Sequence, residues 1–276
     1  MLLALFTFVS CDEFLEEFPK SQASPENFYQ NADHAEAAVV GAYNALQRSG
    51  VYGHKQQYLV TDIIRTATWN TYGGLGTYSF TAENPDIMEI WEDHFKGINE
   101  ANAVITHVPG IDMDEDRKNT LISEAKFLKA LLYFNLIRYF GDVPYMETET
   151  SSLNNLQVPR DPVSFINGKI IEDLEFCIEH LDNKGETQNG RVTVGAAKTL
   201  LSKVYLTRGS MAKRDGTGDG MDDFIKAREF AGEVINSGQY RLNDYFPDAF
   251  IVENKNNDEI IFDVQFKRPR NKLACI

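Results

Sequence analysis

The sequence is poor in the residues that most often carry metal or nucleophilic chemistry. Only three cysteines and five histidines occur among 276 residues. No histidines have the H-E-x-x-H spacing of a zinc protease, and no G-x-S-x-G nucleophile elbow is present. Basic residues are also fewer than acidic ones, 27 against 41, so the formal net charge is −14. Because a field of that sign repels phosphate backbones, we expect no nucleic-acid partner. Since the metal and nucleophile motifs are missing, we also predict no catalytic residue and no cofactor.

The composition that remains is that of a folded chain. Hydrophobic residues make up 43% of the sequence and charged residues 25%, close to the averages of globular proteins and far from those of disordered ones. The length is sufficient for a substantial core and excludes a small disulfide scaffold. We therefore expect the mature part of the chain to fold.

The first ten residues form an apolar run that is too short to cross a bilayer as a helix, which needs about 20 residues. Ser10, a small residue, directly precedes Cys11, the arrangement that bacterial lipoprotein signals need for cleavage and acylation. We interpret 1–10 as a signal-peptide remnant and 11–32 as a segment anchored by lipid on Cys11. No Lys or Arg precedes the run, so the true signal is expected to start upstream. The alternative is an ordinary cleaved signal followed by an incidental cysteine.

Beyond this segment the hydrophobic period is helical. Asn84 followed by Pro85 is typical of a helix start, and Gly141 is typical of a helix end. Asp161 followed by Pro162 predicts a further N-cap. The predicted helices span 33–47, 85–108, 116–140, 161–181, 193–208 and 222–237.

Successive helices joined by modest loops favour antiparallel hairpins, and stacked hairpins form an α-solenoid. We therefore predict a mainly α domain over 33–276, a tetratricopeptide-like helical-hairpin solenoid with long loops and little strand. One strand is predicted at 260–266, where Phe262, Val264 and Phe266 alternate with polar residues. A single strand so late in the chain indicates a domain that is incomplete at its C-terminus.

Two residues within this pattern are interpreted as structural. Cys177 lies on the apolar side of a predicted helix and is most simply a small buried residue. Arg191 lies just before the predicted N-cap at Thr193, and we expect it to fix that helix start by bonding a carboxylate or a carbonyl.

One predicted loop combines three helix-breaking glycines with four aromatic residues. Sugars present flat C–H faces that stack on rings, while their hydroxyls need fixed amide and carboxylate partners. Trp69, Asn70 and Tyr72 supply both kinds within four residues, and Asp62 and Arg65 lie just upstream. These five are the candidate glycan-binding residues. The alternative is that each ring belongs to the hydrophobic core.

Two acidic stretches have part of the pattern of a cation site. In 112–117 the aspartates alternate as at the start of an EF-hand, but Arg117 stands where that loop needs glycine and Ser123 where it needs glutamate. Helix capping explains this stretch better. The stretch 213–223 is also off pattern, so no metal is predicted.

Several sequence blocks follow one another in a fixed order. The most specific is a helix that runs from 123 into the Gly-Asp-Val-Pro exit at 141–144, and the others are 11–18, 91–102, 190–206, 235–242 and 259–262. Together they resemble the SusD/RagB family of surface glycan-binding lipoproteins of Bacteroidetes. The resemblance covers the chain from Cys11 to about Phe266, roughly half the length of a family member.

The resemblance implies a non-catalytic lipoprotein, anchored in the outer membrane and exposed at the cell surface. Such a protein captures an oligo- or polysaccharide and delivers it to a TonB-dependent outer-membrane transporter of the SusC type. Two rivals stay open. A protein-binding tetratricopeptide-like scaffold would have the Trp69 loop buried between helices. An α-class glycosidase would need two carboxylates about 5 to 10 Å apart across one cleft.

The acidic residues after the lipidation site provide a first test. Asp12 and Glu13, with Glu16 and Glu17 nearby, resemble the tract that directs such lipoproteins outward. We expect replacement of Asp12 and Glu13 by Ala to leave the protein facing the periplasm, as measured by protease accessibility on whole cells. Unchanged accessibility would contradict this interpretation.

Overall fold

The structure, a computed structural model, describes residues 28–53, 79–150 and 157–266. Those ranges contain six α-helices: α1 (Ala32–Asn44), α2 (Pro85–His107), α3 (Glu115–Phe140), α4 (Val163–His180), α5 (Val194–Asp215) and α6 (Met221–Asn236). Shorter helical turns lie at Ala45–Gln47, Ser49–Gly53, Val108–Gly110, Phe246–Phe250 and Val252–Asn254. Within the described ranges, no helix has the length and apolar character that a membrane span requires.

The helices pack chiefly on their neighbours in the chain. α2 contacts α3, α3 contacts α4, α4 contacts α5, and α5 contacts α6, while α1 packs on α2 and α3. This is the contact pattern of stacked helical hairpins. The prediction of a mainly α, tetratricopeptide-like fold is confirmed.

Helix α3 is the centre of the molecule. Its residues contribute to both hydrophobic clusters of the described chain, and Leu121, Leu128, Leu132 and Leu136 are fully buried. A helix that is apolar nearly all round needs neighbours on several sides. Helices α1, α2, α4 and α5 all contact it.

Most helix ends follow the predicted capping. The Asn84 side chain accepts hydrogen bonds from the backbone N–H groups of Asp86 and Ile87. The acidic stretch before α3 also caps a helix, since Asp114 accepts from the N–H of Arg117. Gly141 ends α3 with a φ of 71°, a conformation that L side chains rarely adopt.

The predicted N-cap at Asp161 is wrong. Val143 and Asp161 form an isolated antiparallel bridge, and the Asp161 carboxylate accepts from the Tyr145 N–H at 2.9 Å. The Asp142 carboxylate, brought close by the same bridge, accepts from the Val163 N–H at 2.9 Å. Helix α4 is thus capped by a residue that is 21 positions upstream.

The predicted strand at 260–266 is also wrong. The described residues include no partner strand, and this segment lies against helices. Phe262 and Val264 pack on the main core, and the rings of Phe262 and Phe127 meet edge-on at 5.3 Å. The alternating pattern therefore reflects an extended segment with one buried face, and it does not reflect a strand in a sheet.

A buried charge network joins three parts of the chain. The side chain of Glu124, on α3, is 0% exposed, and its Oε2 accepts from Arg191 Nη1 at 2.9 Å. The second Arg191 nitrogen donates to Glu36, on α1, also at 2.9 Å. The Tyr43 hydroxyl donates to Glu124 at 2.7 Å and accepts from the Val192 N–H at 2.8 Å. Arg191 therefore bonds carboxylates, as predicted, three residues before the start of α5.

Removing Arg191 tests the weight of this network. Burial raises the pKa of Glu124, while the Arg191 charge favours the ionised carboxylate. We expect Arg191→Met to lower the free energy of unfolding by about 3–5 kcal/mol, because a buried carboxylate then loses its main counter-charge. Chemical denaturation at pH 7 measures this change.

Arg228→Met, at an exposed position of α6, is the matched control and should change the free energy of unfolding by less than about 0.5 kcal/mol. The loss of unfolding free energy in Arg191→Met should be smaller at acidic pH, because protonation neutralises the Glu124 carboxylate. Equal effects of the two substitutions would show that the network contributes little.

Candidate functional site

All sequence-predicted site residues lie outside the described residues. They are the lipidation site Cys11 and the candidate glycan-binding residues Asp62, Arg65, Trp69, Asn70 and Tyr72. Their roles stay predictions, and the exposure of the Trp69 ring stays open with them. Within the described part, Cys177 is fully buried, as predicted, and its thiol donates to the Ser123 carbonyl.

The chain on both sides of the 54–78 segment lies beside the N-terminal half of α2. On one side, the Gly50 N–H donates to the Asp93 carboxylate at 3.0 Å. A Cβ at Gly50 would lie 2.5 Å from the Glu89 carbonyl oxygen, so only glycine permits this approach. On the other side, Asn84 caps the start of α2. The described chain therefore lies beside α2 both before residue 54 and after residue 78.

A groove of about 850 Å³ runs along the same helix, within the size range of small-molecule sites. Trp91, Phe95 and Asn99 line it and follow one another at four-residue spacing, which places them on one face of α2. The rings of Trp91 and Phe95 are 4.8 Å apart, and Phe140 meets Trp91 edge-on at 5.1 Å. We call this surface the α2 groove.

Two ion pairs lie in the α2 groove. Arg48, which follows the turn after α1, pairs with Glu100 of α2. Lys96 pairs with Glu92 one turn earlier at 3.2 Å. Among the described residues that line the groove, both cations are thus paired with carboxylates that also line it.

The opposite wall of the groove includes the extended segment 144–150, which we call the strap. Side chains of α2 hold its backbone. The Asn102 amide donates to the carbonyls of Met146 and Thr148, at 2.9 and 3.1 Å. The side-chain amide oxygen of Asn99, Oδ1, accepts from the Thr150 N–H at 2.7 Å.

Side chains of α3 hold the strap from beneath. The Tyr133 hydroxyl accepts from the Met146 N–H at 2.6 Å, and the Lys129 ammonium donates to the Glu147 carbonyl at 3.2 Å. The same ammonium lies 4.8 Å from the centre of the Tyr145 ring. Because α2 and α3 both bond its backbone, the strap has a fixed position relative to the groove floor.

A second groove, of about 540 Å³, lies between α1 and the segments 188–191 and 262–265. The polar side chains of Tyr43 and Arg191, which line this groove, already have hydrogen-bond partners within the protein. The Tyr43 hydroxyl and the Arg191 guanidinium bond Glu124 and Glu36 in the buried network. The α2 groove is larger, and its Trp91 and Phe95 rings lie beside the Asn99 amide, so it is the better candidate for a ligand.

The described ranges contain no cluster of three or more His, Cys, Asp or Glu side chains able to hold a metal ion.

Sequence reasoning did not identify the α2 groove. The spacing of Trp91, Phe95 and Asn99 was a usable signal, but the pairing of Arg48 with Glu100, 52 residues apart, left no trace in the sequence.

Comparisons with known proteins agree on one family. Residues 13–206 match the profile of a SusD-like family described as starch-binding and associating with the outer membrane. A SusD-like protein of Formosa agariphila is 28% identical over 279 residues, which is 96% of this chain and 50% of the relative.

Solved structures give the same result. A laminarin-binding SusD-like protein matches with a TM-score of 0.70 and 27% identity, over 85% of this chain and 51% of that one. A structure with a xylogluco-oligosaccharide matches with a TM-score of 0.71 and 26% identity, over 83% and 46%. The chain spans about half the length of the relatives that it matches.

Lys129 allows a test of how the strap is held. It is 3% exposed, and burial lowers its pKa well below the ordinary value, to about 8. We expect Lys129→Met to raise the free energy of unfolding at pH 7 by about 2 kcal/mol, because the cost of burying the charge exceeds the lost hydrogen bond.

The stability advantage of the Lys129→Met variant over the wild type should decrease as the pH rises from 8 towards 10. In that window the unfolded wild-type chain binds a proton at Lys129 that the folded chain has released, so the wild type gains stability. Denaturation curves across this range measure the difference, with Lys203→Met, at an exposed site, as the control. A variant that is less stable at every pH would show that the bond to the strap outweighs the burial cost.

Proposed function

The chain belongs to the SusD-like family, and we propose that it is a non-catalytic glycan-binding lipoprotein that captures oligo- or polysaccharide at the α2 groove. The observation that carries the proposal is the juxtaposition, on one face of α2, of two aromatic rings and an amide flanked by paired charges. Binding of laminarin and of a xylogluco-oligosaccharide by two structural relatives supports it.

The groove provides the two kinds of contact that a sugar needs. The faces of Trp91 and Phe95 fit the apolar C–H faces of a pyranose ring. Asn99, Arg48 and Glu100 place hydrogen-bonding groups beside the rings, where they can fix hydroxyls. The predicted residues Asp62, Arg65, Trp69, Asn70 and Tyr72 precede α2 in the sequence, and we propose that they bind the same glycan.

The non-catalytic assignment rests on the state of the carboxylates. Glycoside hydrolysis needs one carboxylic acid and one carboxylate acting across the scissile bond. In the α2 groove the carboxylates of Glu92 and Glu100 are each bonded to a cation of the protein, so both are engaged in ion pairs.

The cellular setting is proposed from the family and from the N-terminal sequence. The family is described as associating with the outer membrane. We propose that lipid on Cys11, at the start of the segment 11–32, anchors the protein there with the helical domain at the cell surface. Delivery of the glycan to a TonB-dependent transporter of the SusC type completes the proposal.

A binding measurement tests the function. The chain from Asp12 onward is titrated with a panel of plant, host and microbial glycans, and we expect at least one to bind. Trp91→Leu should weaken that binding about tenfold, because it removes the stacking face but keeps an apolar side chain in the core. Trp69→Ala tests the predicted residue in the same way.

Tyr245→Leu is the control, since this ring is 64% exposed and lies outside the α2 groove. Circular dichroism establishes that each variant keeps its helicity. A well-folded wild type that binds no glycan would contradict the proposed function. Binding that neither tryptophan substitution changes would contradict the proposed place of the site.

A further inference from the structure

The sequence contains two asparagines that are directly followed by glycine, Asn167 and Asn189. In such a pair the backbone nitrogen of the glycine can attack the side-chain amide carbon of the asparagine, because glycine has no Cβ to hinder the approach. Closing the ring requires an accessible side chain and rotation of the asparagine backbone. The surroundings of each pair therefore decide whether it reacts.

Asn167 lies in a protected place. It belongs to α4, and only 5% of the residue is exposed. Within an α-helix, the glycine N–H that would have to attack is bonded to the carbonyl four residues earlier. Since α4 packs on both α3 and α5, ring closure at Asn167 requires a buried helix to open.

Asn189 lies in an exposed turn. Its side chain and that of Gln188 are exposed. The Arg191 N–H donates to the Gln188 carbonyl at 3.0 Å, which places Asn189 and Gly190 at the two middle positions of a four-residue turn. One backbone hydrogen bond closes this turn, and opening it slows a reaction only by about two- to tenfold.

The structure also favours glycine after Asn189. Gly190 has a φ of 91°, a conformation that L side chains rarely adopt. A Cβ at this position would lie 2.6 Å from Gln265 Cγ. The turn geometry and the packing therefore both keep the residue that makes Asn189 reactive.

We propose that Asn189 is a site of spontaneous deamidation and that Asn167 is protected from it by the fold. The Gly190 nitrogen bonds Cγ of Asn189, and the amide nitrogen leaves as ammonia with the proton of the Gly190 N–H. Water then opens the ring at either carbonyl, which gives aspartate or isoaspartate at position 189. The new carboxylate lies in the wall of the second groove, which Asn189 lines. The inference does not depend on the proposed function.

Mass spectrometry of the aged protein tests the proposal. The full chain is incubated at pH 8 in water labelled with a heavy oxygen isotope and is then digested at acidic pH, where the ring forms slowly. We expect Asn189 to lose at least about tenfold more of its amide than Asn167, because α4 opens rarely. The isotope should enter the new carboxylate, and the rate should rise with pH, because the attack requires loss of the Gly190 amide proton.

The unfolded chain and one variant are the controls. In urea the two asparagines should react at rates within about threefold of each other, because unfolding removes the helix that protects Asn167. Asn189→Gln should prevent the reaction at 189, since its longer side chain has to close a larger ring. Anion exchange should then separate an acidic form that accumulates in the wild type and is missing in the variant.

Two results would overturn the proposal. One is an equal loss of amide at Asn167 and Asn189 in the folded protein, or no loss at Asn189 under conditions in which the unfolded chain reacts. The other is a ratio in urea as large as that in the folded protein, which would show that neighbouring sequence and not the fold sets the difference.

Discussion

The buried carboxylate of Glu124 is the constraint on which the rest of the structure depends. Its side chain is 0% exposed in the middle of the central helix, where an uncompensated charge would cost several kcal/mol. Arg191 and Tyr43 compensate it, and they lie on opposite sides of Glu124 in the sequence, 67 and 81 residues away. Helices α1, α3 and α5 must therefore meet in one arrangement for the charge to be tolerated, which gives a solenoid of similar hairpins a unique register.

The same central helix supports the proposed site. One face of α3 holds Glu124, and further along Lys129 and Tyr133 bond the backbone of the strap. The strap in turn closes one wall of the α2 groove, whose floor is built by Trp91 and Phe95. The α3 residues that join the core and those that hold the strap thus lie on consecutive turns of one helix, so a change in the register of α3 would displace both.

The fold was largely predictable because its signals are local. Asn84 and Gly141 bound helices through groups within a few residues of themselves, and the apolar run of α3 requires burial wherever it lies. The errors have a common cause. The local pattern predicts an N-cap at Asp161 and a strand at 260–266, whereas a bridge to Val143 holds Asp161 outside α4 and the described residues provide no partner strand for 260–266.

The sequence by itself determined the helical class, the helix order, most helix ends and the family, since each depends on periodicity or on short blocks of residues. The tertiary structure alone decided which groups share a site. Arg48 lies beside Glu100, and Glu124 beside Arg191, across 52 and 67 residues of chain. Such pairings follow from the way helices stack, because a charge finds its partner in space and leaves no periodic mark in the sequence.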